Sequence, residues 1–256
     1  MFLISFPKSE IPCWLLYKEN AEKFAGGTGI CVAGSQIAYS VKLQSLGVTL
    51  NSELSFDQHV NNIVKASNFN IRALRHIRPM LDQTVANTVA CSIVSTRLDY
   101  CNLLLLGTSA KNIQKLQRVQ NTLARVVSGT RKRDHITPVL WKLHWLPVAQ
   151  RLEYKIALIT HKVLSTRQPQ YLNSLISEYR PKRQLRSEGK RQLTKPTGLL
   201  SSIGQRTYTR SSERTWNQLP EHIRLSDNII SFKSRLKTHC FSAPSVCSLL
   251  HFSPHL

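Results

Sequence analysis

Lys111, Lys115, Arg118 and Arg125 stand four, three and seven residues apart, a spacing that sets four cations along one face of a helix. Arg131, Lys132 and Arg133 follow as an unbroken triplet, and Lys65, Arg72 and Arg75 repeat such a stripe upstream at spacings of seven and three. A third group, Lys182, Arg183, Arg186, Lys190 and Arg191, crowds the stretch from Arg180 to Lys195. Rows of such side chains neutralise successive phosphates and release their counterions, giving salt-dependent binding with little sequence preference. The same rows also serve as plain solvated faces, and taken one at a time the sequence leaves both readings open.

The balance of charge favours a polyanionic partner. The formal net charge is +21 over 256 residues, so RNA or DNA is the first candidate and an anionic membrane surface the second. Residues 1–60 hold four lysines and five acids, a net of −1, which leaves +22 for the remainder. No stretch approaches the ~20 apolar residues of a membrane span, and Met1 to Glu10 reads poorly as a signal peptide. The expected location is therefore intracellular, nucleus or cytoplasm, and the six scattered cysteines are expected as reduced thiols.

Catalytic chemistry finds little support. The five aspartates, Asp57, Asp82, Asp99, Asp134 and Asp227, fall in separate segments with no adjacent pair, so none is placed by sequence to share a metal ion. There is no Gly-x-Ser-x-Gly, and the turn at Gly26-Gly27-Thr28-Gly29 lacks the Lys-Ser/Thr of a phosphate-binding loop. At the C-terminal end, Cys240, Cys247, His251 and His255 form C-x6-C-x3-H-x3-H. The histidine spacing suits zinc, but the cysteine spacing is too wide and no ~12-residue connector supplies a helix, so a frayed terminus is the favoured reading.

These cations need helices to carry them. Phe56, Val60, Ile63, Ser67, Ile71 and Leu74 predict a helix closed at Pro79; Asp82 caps a second, whose inward face reads Val85, Val89, Ile93, Val94 and Leu98. Leu103 to Leu106 is a core run, and Ser109 starts an amphipathic helix over 111–128 that ends at Gly129. Its apolar side is Ile113, Leu116, Leu123, Val126 and Val127. Thr137-Pro138 opens a short helix, and Val148, Leu152, Ile156, Ile159 and Val163 give a four-turn one. Val41 to Leu50 alternates as a short strand, whereas residues 1–34 show no clear period. Trp141, Trp145, Tyr179 and Tyr208 lie among the cations; an exposed indole would stack on a base, but their leucine neighbours predict buried packing for both tryptophans. Residues 203–241, with Tyr208, Trp216, Leu219, Pro220, Ile223, Ile230, Phe232 and Leu236, suit a small unit of two short helices.

Four strings in order carry a resemblance: SLGVTL (Ser45 to Leu50), STRLDYCN (Ser95 to Asn102), HITPVLWKLHWLPV (His135 to Val148) and the block from Ile203 to Phe241. Together, over Val41 to Phe241, they resemble the region after the palm in reverse transcriptases of LINE-type, jockey-like non-LTR retrotransposons. Periodicity and composition predict a mainly α fold, with a strand and helical body over 41–178, a basic and mobile linker over 179–202, a C-terminal module over 203–241, and ill-defined segments at 1–40 and 242–256; the resemblance implies that the strand is the end of the palm and that the helical body is thumb-like. Asn51 departs from the family, where Asp follows LGVTL. Asp99 belongs to the family's LDYCN string, and its expected role is a buried polar anchor at a helix end.

In that family an Asp pair on the palm holds the Mg2+ ions of polymerisation, and no residue here matches that motif. The expectation is a truncated or domesticated fragment, no enzyme by itself, with no cofactor and with RNA or DNA as partner. The alternatives are a protein-interaction module, through its basic surface or the face left by a missing palm, and a genomic relic.

Overall fold

The apolar spacing that begins at Phe56 becomes a helix, and so do most of the periodic stretches after it. A computed structural model describes residues 29–32, 35–38, 42–51, 53–179, 191–197 and 204–242. They form a mainly α protein with two short hairpins, divided into two units, Met1–Ile63 and Val64–Leu256.

In the first unit β1 (Gly29–Val32) pairs antiparallel with β2 (Ser35–Ala38), and β3 (Lys42–Ser45) with β4 (Val48–Asn51). A short strand was expected over 41–50, and it is a hairpin whose turn takes up the exposed Leu46; the first hairpin was not expected, since GICV and SQIA carry no alternation of apolar and polar residues that would mark it. The β3–β4 turn places Leu46 and Gly47 both at positive φ, the two-residue geometry whose twist matches its strands. Val48 and Leu50 point inward with Phe56 and Val60, and Asn62 donates to the Thr49 hydroxyl at 3.2 Å. Asn51 ties the hairpin to the following helix: its Oδ1 accepts from the Ser55 backbone N–H and its Nδ2 donates to the Ser55 hydroxyl. An Asp there would keep the first bond and lose the second.

Helix α1 (Asp57–Ile77) ends in a 3-10 turn containing Pro79, as its spacing predicts, with Ser67, Ile71 and Leu74 buried. Asp82 caps α2 (Gln83–Ala90), its Oδ1 accepting from the Val85 N–H. The inward face of α2 differs from the expectation. Ala86, Ala90, Val94 and Leu98 are buried while Val85 is exposed and Val89 and Ile93 only half-buried. Small alanines are favoured there because α2 lies against α4 (Ala110–Ser128), where Ala124 is also fully buried. A π-type stretch, Cys91–Ser95, then leads into the single turn α3 (Thr96–Asp99).

α4 buries Leu116, Val119, Gln120, Leu123, Ala124 and Val127; Gly129 closes it in the left-handed region. α5 (Thr137–Lys142) has Pro138 in its first turn, and α6 (Val148–Thr166) buries all five predicted positions. After the turn α7 (Gln170–Asn173), the chain folds into α8 (Tyr208–Gln218), α9 (Glu221–Arg224) and α10 (Ile229–Ser242), three helices where two were expected. Trp216, Leu219, Ile223, Phe232, Leu236 and Cys240 share one core with Ala157 of α6 and Leu146, so α8 to α10 pack on the helical body. His161 stacks on Phe232 at 4.1 Å, and its Nε2 pairs with the Ser226 carbonyl at 3.0 Å. Burial lowers the His161 pKa and keeps the imidazole neutral. Ile230, expected inside, is exposed.

The C-terminal end of the presumed linker is also built into this core. Tyr179 N–H donates to the Gln192 carbonyl and Thr194 N–H to the Ser177 carbonyl, a short antiparallel bridge that seats Leu193 in the core. The Asn217 carboxamide grips the Leu193 backbone twice, and the Trp216 indole donates to the Arg191 carbonyl at 2.6 Å. Basic composition suggested a mobile stretch up to Lys195; a single leucine with these backbone partners anchors its last part.

Candidate nucleic-acid interface

The α4 stripe is carried on a well-packed helix. Lys111 and Arg118 are exposed and Lys115 is half-buried on the side opposite Leu116 and Leu123. Arg125, one turn from the helix end, is half-buried and reaches the Asp134 backbone carbonyl through Nη2 at 3.3 Å. The loop that follows is a closed turn. Asp134 N–H donates to the Arg131 carbonyl at 3.2 Å, while its carboxylate accepts from the Arg131 N–H at 3.1 Å. Asp134 is the single acid between Tyr100 and Leu152, and the turn bends it back onto the chain. The side chains of Arg131, Lys132 and Arg133 project from that turn into solvent.

On α1, Lys65, Arg72 and Arg75 are all exposed. Arg78, just beyond, is engaged within the protein: Nε and Nη2 donate to the Val127 carbonyl at 3.0 and 2.8 Å and Nη1 to the Leu81 carbonyl at 2.7 Å. It satisfies a carbonyl in the last turn of α4, where orphan acceptors and the helix dipole favour a cation. Of the linker cations, Lys182, Arg183, Arg186 and Lys190 lie outside the described residues, and Arg191 is half-buried with its carbonyl held by Trp216.

Other cations act as internal clamps, and no spacing or neighbour in the sequence sets them apart from the stripes. Arg151 donates to the Leu146 carbonyl and pairs with the Asp99 carboxylate at 2.9 Å. Lys155 donates to the Asp99 carbonyl at 3.0 Å; the Asp99 side chain, expected as a buried anchor at a helix end, is half-buried and forms an ion pair with α6. Arg206 donates to the Leu106 carbonyl, and Arg235 to the His222 carbonyl and the Ser226 hydroxyl.

The aromatic residues sort differently from the expectation. Trp145 is buried, but Trp141 is 54% exposed and touches Phe241 edge-on at 6.4 Å. Trp141 lies on the outer side of the short α5, so its leucine neighbours pack without it. Tyr179 is exposed. The Tyr208 hydroxyl is buried, which pushes its pKa up to about 12 and removes it from any surface role. Phe69, which the basic pattern alone did not single out, is 72% exposed on α1. Its signal was available: it stands four residues after Lys65 and three before Arg72.

The aspartates do not fit a polymerase metal site. Asp82 caps a helix, Asp99 is paired with Arg151, Asp134 closes a turn, and among the described residues no three of His, Cys, Asp or Glu come together to hold an ion. Cys240 is buried in the core and its thiol is pushed up to about 12 by burial, then by Glu153, which opposes a zinc thiolate; Cys247, His251 and His255 lie outside the described residues. Cys91 and Cys101 are free thiols. Among the described residues no helix is long and apolar enough to cross a membrane. No protein-family model, curated protein or solved structure matches the chain.

Proposed function

We propose that this chain is a reverse transcriptase-like segment of a non-LTR retrotransposon without catalytic activity of its own, and that it binds RNA or DNA through phosphate contacts. The observation that carries the binding reading is the α4 stripe and its turn: Lys111, Lys115, Arg118, Arg131, Lys132 and Arg133 with solvent access, and the neighbouring acid drawn back onto the backbone. Cations that reach solvent are the ones an external polyanion can meet. The family reading rests on the four sequence strings alone.

The test is equilibrium binding to single-stranded RNA at several salt concentrations, with Lys111, Lys115, Arg118 and Arg125 changed to Gln. Tight binding whose logarithmic salt slope falls by about 2 in the variant supports phosphate contacts by Lys111, Lys115 and Arg118, at ~0.7 per phosphate on a single strand. Binding that is absent, or unchanged in the variant, overturns them. Primer extension with Mg2+ or Mn2+ is expected to give no incorporation, and clear incorporation would overturn the non-catalytic reading. A second reading, a protein-docking module, draws on the exposed apolar side chains of Ile77, Met80 and Val85; it predicts association with little salt dependence.

A further inference from the structure

From Gln58 to Leu81 the chain contains no Asp or Glu, and its exposed helical face combines cations with one large apolar ring. At ~100° per residue, Lys65, Phe69, Arg72 and His76 fall within a 60° arc of α1, with Arg75 beside them. All five are exposed, and Phe69 leaves 72% of its surface in solvent. Phe is an ordinary helix former, so local propensity gives no reason for it there. The ring is bracketed by charge: along the helix axis Lys65 lies about 6 Å to one side and Arg72 about 4.5 Å to the other, at ~1.5 Å per residue.

We propose that this stripe is a binding surface for single-stranded nucleic acid, with Phe69 stacking on an unpaired base while Lys65 and Arg72 hold the phosphates on either side. The proposal rests on the nucleic-acid reading above and adds a preference to it. A phosphate stripe alone grips duplex and single strand alike, whereas a stacking ring needs a base face, and duplex bases hide theirs against one another. Charge excludes the simplest rival occupant: a second copy docked through Phe69 would bring Lys65, Arg72 and Arg75 of two molecules face to face.

The test uses the full chain, an unstructured single-stranded oligonucleotide and a blunt duplex of equal length, with the variants Phe69→Ala and Phe69→Tyr. Because Phe69 is exposed, both variants are expected to fold and melt like the parent. Phe69→Ala is expected to weaken single-strand binding about tenfold, the scale of one lost base–aromatic stack, with unchanged salt slope and unchanged duplex binding. Phe69→Tyr is expected to restore the single-strand affinity. Parent-like single-strand binding by Phe69→Ala, or an equal loss on duplex, overturns stacking while leaving the α4 contacts intact. A change in self-association or in capture of an acidic protein, without a change in oligonucleotide affinity, overturns it in favour of a protein partner. Failure of the parent chain to bind either nucleic acid overturns both this inference and the function it rests on.

Discussion

The cations of the α4 stripe and turn and those that hold helix ends and loops inside the fold are the same residue types put to opposite uses. Lys111, Arg118 and Arg131 to Arg133 reach solvent, whereas Arg78, Arg151, Arg206 and Arg235 end on backbone carbonyls or on the half-buried Asp99 carboxylate. A guanidinium has five donors in a planar fork, so it can close several orphan acceptors at once where helices end and turn. A chain short of acids can therefore use some of its positive charge as internal hydrogen-bond donors. The net charge of +21 overstates the surface available to a polyanion, and only the structure separates the two groups.

The largest expected loss on the internal side of this comparison lies in the core around Trp216. Trp216→Ala removes a fully buried indole together with its bond to the Arg191 carbonyl, and is expected to cost ~3–5 kcal/mol of folding stability, read by denaturant melts. Oligonucleotide binding should fail only where folding fails. Next in size is Arg78→Ala, which strands the Val127 and Leu81 carbonyls and is expected to cost ~1–3 kcal/mol with no change in salt slope. A reduced salt slope in a folded Arg78→Ala variant would show that this arginine also meets phosphate, and the division would blur.

How much of this was legible before the structure follows from what each signal depends on. Helix periodicity is local, so α1, α4 and α6 were readable from Val60, Leu116 and Ile156 and their neighbours, with Gly129 and Asp82 marking ends. The inward face of α2 was misread because bulk was taken as the guide, while close helix approach selects Ala86 and Ala90. The clamping arginines were invisible because their partners are backbone carbonyls up to 100 residues away, and carbonyls carry no sequence signature. Trp141 and Phe69 show the same limit for aromatics: composition predicts burial, but the outer side of a short or charged helix exposes them. The spacing of Lys65, Arg72 and Arg75 and of Lys111 and Arg118 does predict exposed helix positions, whereas Arg125 has its side chain half committed to the turn.

The middle of the range is a pH effect with a definite sign. Burial raises the Glu153 carboxyl to about 6, with Arg214 opposing the rise. A carboxyl whose pKa is raised by folding binds its proton more tightly in the folded chain. Its contribution is most favourable below the unfolded value of 4.5, and stability declines as pH rises toward 6. His161 slopes the other way, since its lowered pKa gives stability that is lost as pH falls through 6.5. Glu153→Gln isolates the first effect, because His161 contributes equally to parent and variant. The variant is expected to exceed the parent by at most about 2 kcal/mol above pH ~7, with the difference vanishing below pH ~4. A difference that is flat with pH would place the Glu153 carboxylate in contact with water.

The smallest expected effect on folding tests the exposed side of the comparison. Changing Arg131, Lys132 and Arg133 together to Gln leaves the turn's own bonds in place, because Asp134 is held by the Arg131 backbone and by no side chain of the triplet. Stability is expected to stay within about 0.5 kcal/mol of the parent, as for surface substitutions in general. The logarithmic salt slope for single-stranded RNA should fall by about 2 if all three residues meet phosphate. Arg125→Gln gives the contrast within one site, since it loses the bond to the Asp134 carbonyl and frees the turn it holds. Destabilisation of the triple variant on the scale of Arg78→Ala would mean that the triplet clamps the fold as well, and that no clean division exists between cations that build this protein and cations that it offers to a partner.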